Sequence, residues 1–245
     1  MAPAMRIVTY NVRRCLGLDG VCSPERIAEV VASCRADVVA LQELDVRRAR
    51  SGHVDQAETI ARELGAGDLF FHPAFRLIEE EYGDAVITTG PARLVKAGPL
   101  PSVWTPFAAE PRGALWVSAQ IGDKQIEVIN THLGLSRRER RAQASALLGP
   151  EWLGHPGCSG NVVLAGDLNS LPGGRVHRAF AARLRDAHAG HAPRATFPSR
   201  FPTVRIDHLF VGTDIEVLSA GVVRTELARI ASDHLPLVAE LNLAG

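Results

Sequence analysis

Asn161-Val162-Val163-Leu164-Ala165-Gly166-Asp167-Leu168-Asn169-Ser170 is the stretch from which the rest of the chain can be read. Its apolar run suits a strand covered on both faces of a sheet, and it ends abruptly in a carboxylate and an amide. Gly166 lets the backbone run close to whatever occupies the next layer. Asp167 is thereby delivered to a rim. In an extended segment residues i and i+2 share a face, so Asp167 and Asn169 are expected to project together with Leu168 turned away. A carboxylate so placed can take a proton from water, and the neighbouring amide can orient that water or a phosphoryl oxygen. A polar strand end entering a turn accounts for the same residues about equally well.

The pattern repeats upstream. Arg6 to Asn11 reads as a strand that exits on an amide, followed by a loop with Arg13 and Arg14. Ser23 and Pro24 then start a helix whose buried stripe is Ile27, Val30, Val31 and Cys34. Asp37 to Glu43 is a second buried strand, and its last residue becomes a further rim candidate. An amphipathic helix is expected from Val54 to Leu64, then strands at Leu69 to Phe75 and Asp84 to Thr88, separated by a solvated loop, Glu79-Glu80-Glu81. After a short strand at Leu94 to Gly98, the segment through Pro99, Pro101, Pro106 and Pro111 must be irregular, because proline cannot donate to a ladder. Near a catalytic rim, a loop of that length is expected to shape substrate entry.

Ala114 to Ile121 and Gln125 to Asn130 flank Gly122-Asp123-Lys124 and should form a hairpin whose exit puts Asn130 and His132 on one face. Ser136 and Glu139 make a capping box for a helix with Ala144, Leu147 and Leu148 inward. Arg137, Arg138, Arg140 and Arg141 are read as its solvated face. Downstream, a helix spans Gly173 to Leu184, and the strand Arg205 to Val211 carries Asp207 inside an apolar run. A buried carboxylate needs a partner, and another histidine is expected. Finally, Ser232-Asp233-His234-Leu235-Pro236 precedes a terminal strand, Leu237 to Leu241, with Asp233 and His234 pointing apart.

The composition is even, with no linker or charge block, so the 245 residues are read as one domain, residues 1–245. The 27 basic and 27 acidic residues cancel, which removes any global field favouring nucleic acid or an anionic membrane. Cys15, Cys22, Cys34 and Cys158 lack Cys-x-x-Cys spacing and are expected to be mostly buried thiols. No apolar run approaches the ~20 residues a membrane span needs, and no secretion signal precedes the first strand. A soluble, cytoplasmic, monomeric protein is expected.

Strand ends thus carry Asn11, Glu43, Asn130 with His132, Asp167 with Asn169, Asp207, and Asp233 with His234. Hard oxygen donors of this kind suit Mg²⁺ or Mn²⁺ rather than structural zinc, and acids with histidines around such an ion suit phosphoryl chemistry. The ordered set Thr9-Tyr10-Asn11, Leu41-Gln42-Glu43, Asn130-Thr131-His132-Leu133, Gly166-Asp167-Leu168-Asn169, Arg205-Ile206-Asp207-His208 and Ser232-Asp233-His234-Leu235-Pro236 resembles the endonuclease/exonuclease/phosphatase superfamily.

The resemblance implies a four-layer α/β sandwich, DNase I-like, with two mixed β-sheets face to face and helices outside. It implies that Glu43 is the principal metal ligand, with Asn11 and Asp233 close by. Asp167 and Asn169 would position and deprotonate the attacking water, and Asn130 and His132 would bind phosphoryl oxygens. His234, kept cationic by Asp207, would stabilise transition-state charge; whether Asp167 or His234 is the base stays open. Glu110-Pro111-Arg112-Gly113-Ala114-Leu115 is similar to the family's small bacterial hydrolases, which makes Arg112 a phosphate-binding candidate or else a loop surface charge. The chain departs from the family at Asp84, Thr88 and Thr89. The expected activity is hydrolysis of a small or exposed phosphodiester by a metal-dependent phosphodiesterase. A nuclease acting on nucleic acid, an enzyme acting on a phospholipid headgroup, and a non-catalytic phospho-ligand-binding module are the alternatives.

Overall fold

Apolar runs with polar exits become strands, and the amphipathic stretches between them become helices. The computed structural model describes residues 4–103, 110–158, 160–191 and 195–243. In chain order these form β1 (Met5–Asn11), α1 (Pro24–Cys34), β2 (Val38–Val46), α2 (Gln56–Leu64), β3 (Asp68–Leu77), β4 (Glu80–Thr88), β5 (Ala92–Pro99), β6 (Gly113–Ile121) and β7 (Lys124–His132). They continue through α3 (Arg137–Leu148), β8 (Val162–Asp167), α4 (Arg175–Ala181), β9 (Arg185–Asp186), β10 (Asp207–Val211), β11 (Ile215–Val222), α5 (Glu226–Ala231) and β12 (Leu237–Leu243).

The strands make two six-stranded sheets, ordered β11-β12-β1-β2-β4-β3 and β5-β6-β7-β8-β10-β9. Each sheet is mixed for the same reason. β1 and β2 are parallel, as are β7 and β8, and each pair is joined by a crossover helix, α1 or α3. All other neighbours are antiparallel. The central strands are apolar on both faces because each sheet has the other sheet on one side and helices on the other. Ile7, Leu41, Leu115, Val128, Val163 and Leu209 belong to one core cluster drawn from both sheets. Full burial of each such side chain stabilises by roughly 1.5–3 kcal/mol.

Helices α1 and α2 cover the first sheet and α5 packs against α1, with Ile27, Val30, Val31 and Cys34 of α1 buried as expected. Beneath α3 and α4, the outer face of the second sheet contributes Trp116, Ile129, Leu164 and Phe210 to a separate cluster with Leu147 and Phe180. The four-layer sandwich expected from the sequence is therefore the observed one. Cys15, Cys34 and Cys158 are buried and Cys22 is exposed. Among the described residues no helix is long and apolar enough to cross a membrane.

Several boundaries differ from the sequence reading. Helix α2 starts at Gln56 rather than Val54, because the Asp55 carboxylate accepts from the Glu58 amide at 3.0 Å and fixes the cap there. Helix α4 covers only Arg175–Ala181, since the chain must turn after it to lay Arg185 and Asp186 against β10. The acidic stretch is not a solvated loop: Glu80 and Glu81 lie in β4, with Glu80 beside Arg48 and Glu81 beside Arg76. Strand β2 does not stop at Glu43 but runs on to Val46. Pro106, within the irregular proline-rich segment, lies outside the described residues.

Candidate active site

Register places the chemistry. Across β7, β8 and β10, His132 pairs with Asp167 and Asp167 pairs with Asp207, so three titratable side chains sit abreast on adjacent strands. On the facing sheet, Asn11 ends β1 beside Gln42 of β2. A β-bulge follows: Leu41 opposes Ala85 and Leu44 opposes Gly83, leaving Gln42 and Glu43 opposite Asp84 alone. Glu43 takes φ 64° within it. A bulge is how a strand re-aims a side chain at an active site, and here it turns Glu43 towards Asn11 without ending the strand.

Gly166 has a related purpose, though not the expected one. Its φ is 142°, and a Cβ at this position would lie 1.8 Å from the carbonyl oxygen of Thr131. The close approach is to β7, its own sheet neighbour, rather than to the next layer. It brings His132 and Asp167 into contact, with Nε2 and Oδ2 3.4 Å apart.

Asp167 is the hub. Its Oδ1 accepts from the backbone N–H of Asn169 at 2.8 Å, while Oδ2 accepts from Asn11 Nδ2 at 3.1 Å. Asn169 does not reach the site by the two-residue alternation of a strand. It lies past the end of β8 with φ 47°, and its Nδ2 reaches His132 Nε2 at 3.1 Å and donates to the Leu133 carbonyl at 2.8 Å. Asn11 Nδ2 also donates to Glu43 Oε1 at 2.9 Å, joining the two sheets through one amide. From the terminal motif, Ser232 Oγ donates to the Asn11 carbonyl at 2.8 Å, and His234 Nε2 stands 3.7 Å from Asp167 Oδ2.

The two imidazoles around Asp167 carry opposite charge states. Burial by itself would push His234 down, but Asp207, whose oxygens lie 2.9 and 3.2 Å from Nδ1, outweighs it with help from Asp167 and Asp233. The result is a pKa raised to about 10, so His234 is a cation at neutral pH. His132 is driven well below its ordinary value by burial and then by Arg112 and His234. Arg112 Nη1 lies 3.0 Å from His132 Nδ1 and the Asn169 amide nitrogen 3.1 Å from Nε2, so the neutral ring is held between two groups that can only donate. Asp167 itself is raised to about 7 by burial and then by Asp207.

Carboxylates crowd the Glu43 side. Burial raises Glu43, and Asp84 is raised to about 7 by burial, partly offset by Arg112. Such crowding of hard oxygen donors beside the Asn11 amide fits a divalent cation at Glu43 and Asn11. The histidine and carboxylates of the group Asp167, Asp207 and His234 also converge, but a protonated imidazole has no lone pair for a metal.

Three sequence candidates sit differently from expectation. Asn130 is fully buried, and its amide donates to the Leu41 and Ala85 carbonyls at 2.9 Å each while accepting from Gln42 at 2.7 Å. It pins the two sheets together, with no N–H left for a phosphoryl oxygen. Arg112 is 6% exposed, so it is neither a surface charge nor an open phosphate ligand; it holds His132 and pairs with Glu110 at 3.0 Å. Asp233 faces Arg13 at 3.5 Å rather than bonding Glu43 or Asn11 among the described contacts.

Other residues were missed. Asp84 accepts from the Glu43 N–H at 3.4 Å, and the only hint in the sequence was its departure from the family pattern. His208, next to Asp207, points to the opposite face and donates from Nε2 to the Ser170 carbonyl at 2.7 Å, anchoring the turn that carries Asn169. It adjoins His177, which bonds Asp186 at 2.9 Å. Arg205 occupies both oxygens of that same carboxylate, so this second histidine cluster is already neutralised.

Comparison with known proteins agrees with this architecture. A family model described as the Endonuclease/Exonuclease/phosphatase family matches residues 8–234. YbhP, an uncharacterized protein of Escherichia coli K12, is 28% identical over 234 residues, covering 89% of this chain and 87% of that one. A mannosyl-6-phosphatase from Bacteroides thetaiotaomicron superposes with a TM-score of 0.78 at 23% identity, over 98% of this chain and 100% of the other. The human Nocturnin catalytic domain gives 0.74 at 20% identity, over 99% and 94%. With the match running from the first strand to the last histidine of the site, the chain belongs to the endonuclease/exonuclease/phosphatase family.

Proposed function

We propose that this chain is a hydrolase of phosphoester bonds that depends on a divalent cation, Mg²⁺ or Mn²⁺, and acts on a small or exposed phosphodiester. The observation that carries the reading is the buried Asp167 between a neutral His132 and a cationic His234. When bound, the cation offsets phosphoryl charge. Glu43 and Asn11 would hold it, with Asp167 alongside and Asp233 at the rim.

Asp167 is the base in this reading, because His234 already carries its proton at neutral pH. A carboxylate near 7 is matched to taking a proton from water, a role contributing ~10²–10⁴-fold. The Asn169 N–H on Oδ1 and the Asn11 amide on Oδ2 fix the orientation of the carboxylate that receives that proton. His234 Nε2–H, 3.7 Å from Asp167 Oδ2, can donate to a phosphoryl oxygen as charge builds, a donor worth ~10²–10³-fold, with neutral His132 beside it. Burial and then the charge of Arg112 keep His132 neutral, and Asp207 preserves the charge of His234. Water attacks in line, with no covalent enzyme intermediate. The zero formal net charge favours a small substrate over a long duplex, whose affinity draws on many cationic contacts. In the same reading the protein works as a monomer in the cytoplasm.

The test is hydrolysis of bis-p-nitrophenyl phosphate by metal-stripped protein with Mg²⁺ or Mn²⁺ added back, beside supercoiled DNA. Turnover should appear with metal, and Glu43→Gln should weaken the metal dependence by at least ~10-fold. Binding of phosphorylated ligands without turnover of any ester would replace the hydrolase with a binding module. Steeply salt-sensitive DNA cleavage without small-substrate turnover would replace the phosphodiesterase with a nuclease.

A further inference from the structure

The arginine run at the start of α3 is not simply a solvated face. Arg137, Arg140 and Arg141 line a concavity of about 360 Å³ together with Arg175, Asn169, Ser170 and Leu171. Asn169 is the shared wall, since its amide nitrogen lies 3.1 Å from His132 Nε2 and donates to the Leu133 carbonyl on its other side. Arg140 is tied in place by the carbonyls of Gly134 and Leu135, immediately after the β7 exit. Arg137, Arg141 and Arg175 are exposed, and none of them forms an ion pair among the described residues.

Helix stability does not explain this arrangement. Cations in the first turn oppose the helix macrodipole, and like charges four apart, as at Arg137 and Arg141, destabilise a helix. Four guanidinium groups around one concavity repel one another until an anion enters. Leu171, 51% exposed, adds an apolar lip beside them.

We propose that this concavity is a second phosphate subsite: the substrate is a small molecule carrying another phosphoryl group beside the ester that is cleaved. The assignment rests on the phosphoester reading above and narrows its substrate class. Guanidinium groups at two sides of the concavity match the planar, bidentate geometry by which arginine reads phosphate.

Isothermal titration with adenosine 3′,5′-bisphosphate and with adenosine 5′-monophosphate tests it, using the full chain and the double variant Arg141→Gln, Arg175→Gln. Wild-type protein should bind the bisphosphate at least ~10-fold more tightly than the monophosphate, and the double variant should bring that ratio to within ~2-fold of unity. Arg141→Lys with Arg175→Lys, which keeps the charge, should restore part of the preference. A wild-type ratio near one, or equal weakening of both ligands, overturns the subsite. So does selective loss of a short single-stranded oligonucleotide with the bisphosphate unaffected, which would assign the cations to a neighbouring strand phosphate. Turnover of bis-p-nitrophenyl phosphate in the same preparations separates the two claims. Binding preference without turnover sinks the hydrolase and keeps the subsite, whereas turnover without preference does the reverse.

Discussion

Asp207→Asn isolates the charge on which the site depends. Asp207 is fully buried, and its carboxylate lies 2.9 Å from His234 Nδ1. Asparagine can still accept from that N–H, so the geometry is largely kept while the charge is lost. His234 stands at about 10 against an ordinary 6.5, and at roughly 1.4 kcal/mol per pH unit this is about 5 kcal/mol in favour of the cation. Asp207 supplies the largest raising contribution, with Asp167 and Asp233 behind it, and burial works in the opposite direction. Without Asp207, burial should win over much of that range, and His234 should lose its proton near or below neutrality. The folded pKa is raised in the wild type, so the cation is present at neutral pH and lost only as pH climbs towards 10. The variant should therefore move the alkaline limb of kcat for bis-p-nitrophenyl phosphate down by at least ~2 pH units. Asp167 is affected less, because losing Asp207 lowers its pKa while losing the His234 charge raises it. Nitrogen-15 NMR of the His234 ring checks the same transition without turnover. An alkaline limb that stays put, or a ring still protonated at pH 9 in the variant, would refute the assignment of Asp207.

Three further outcomes are expected. Asp167→Asn should lower kcat by at least ~100-fold with little change in melting temperature, measured by steady-state hydrolysis and thermal denaturation, since the amide cannot take the proton. Acid should unfold the protein well above the usual carboxylate range. Burial lowers His208 to about 3 and His188 to about 4, so the unfolded chain binds more protons below 6.5 and stability falls by up to about 1.4 kcal/mol per pH unit for each ring on acidification. Melting temperatures taken from pH 7 to pH 4 should show this, and His208→Gln, which can still donate to Ser170, should flatten the slope. Gly166→Ala should destabilise the fold by ~2–3 kcal/mol or more in denaturant titration, because its Cβ would collide with the Thr131 carbonyl and the backbone φ of 142° disfavours any side chain.

By itself the sequence determined the strands and helices and the polar residues at strand ends, while the sandwich came from the ordered motifs' resemblance to a family. Apolar runs ending at Asn11, Asp167 and His132 announce buried strands that deliver polar groups, because strand formation and double-sided burial leave a local imprint on composition. The Ser23-Pro24 and Ser136 helix starts were readable for the same short-range reason. Tertiary structure decided what those side chains do. The bulge at Glu43 exists only through pairing with β4, and the turn at Asn169 only through its bond to Asp167 and the anchoring of Ser170 by His208. Asn130 looked like a ligand of substrate until the facing sheet was seen to use its whole amide. The arginine run is mostly exposed as expected, but only the tertiary structure sets Arg175 and Asn169 around the same concavity. Above all, His132 and His234 are the same residue type at strand exits or beside them. One is neutral and the other cationic because burial, Arg112 and Asp207 reach them from distant parts of the chain, and charge acts through space rather than along the sequence.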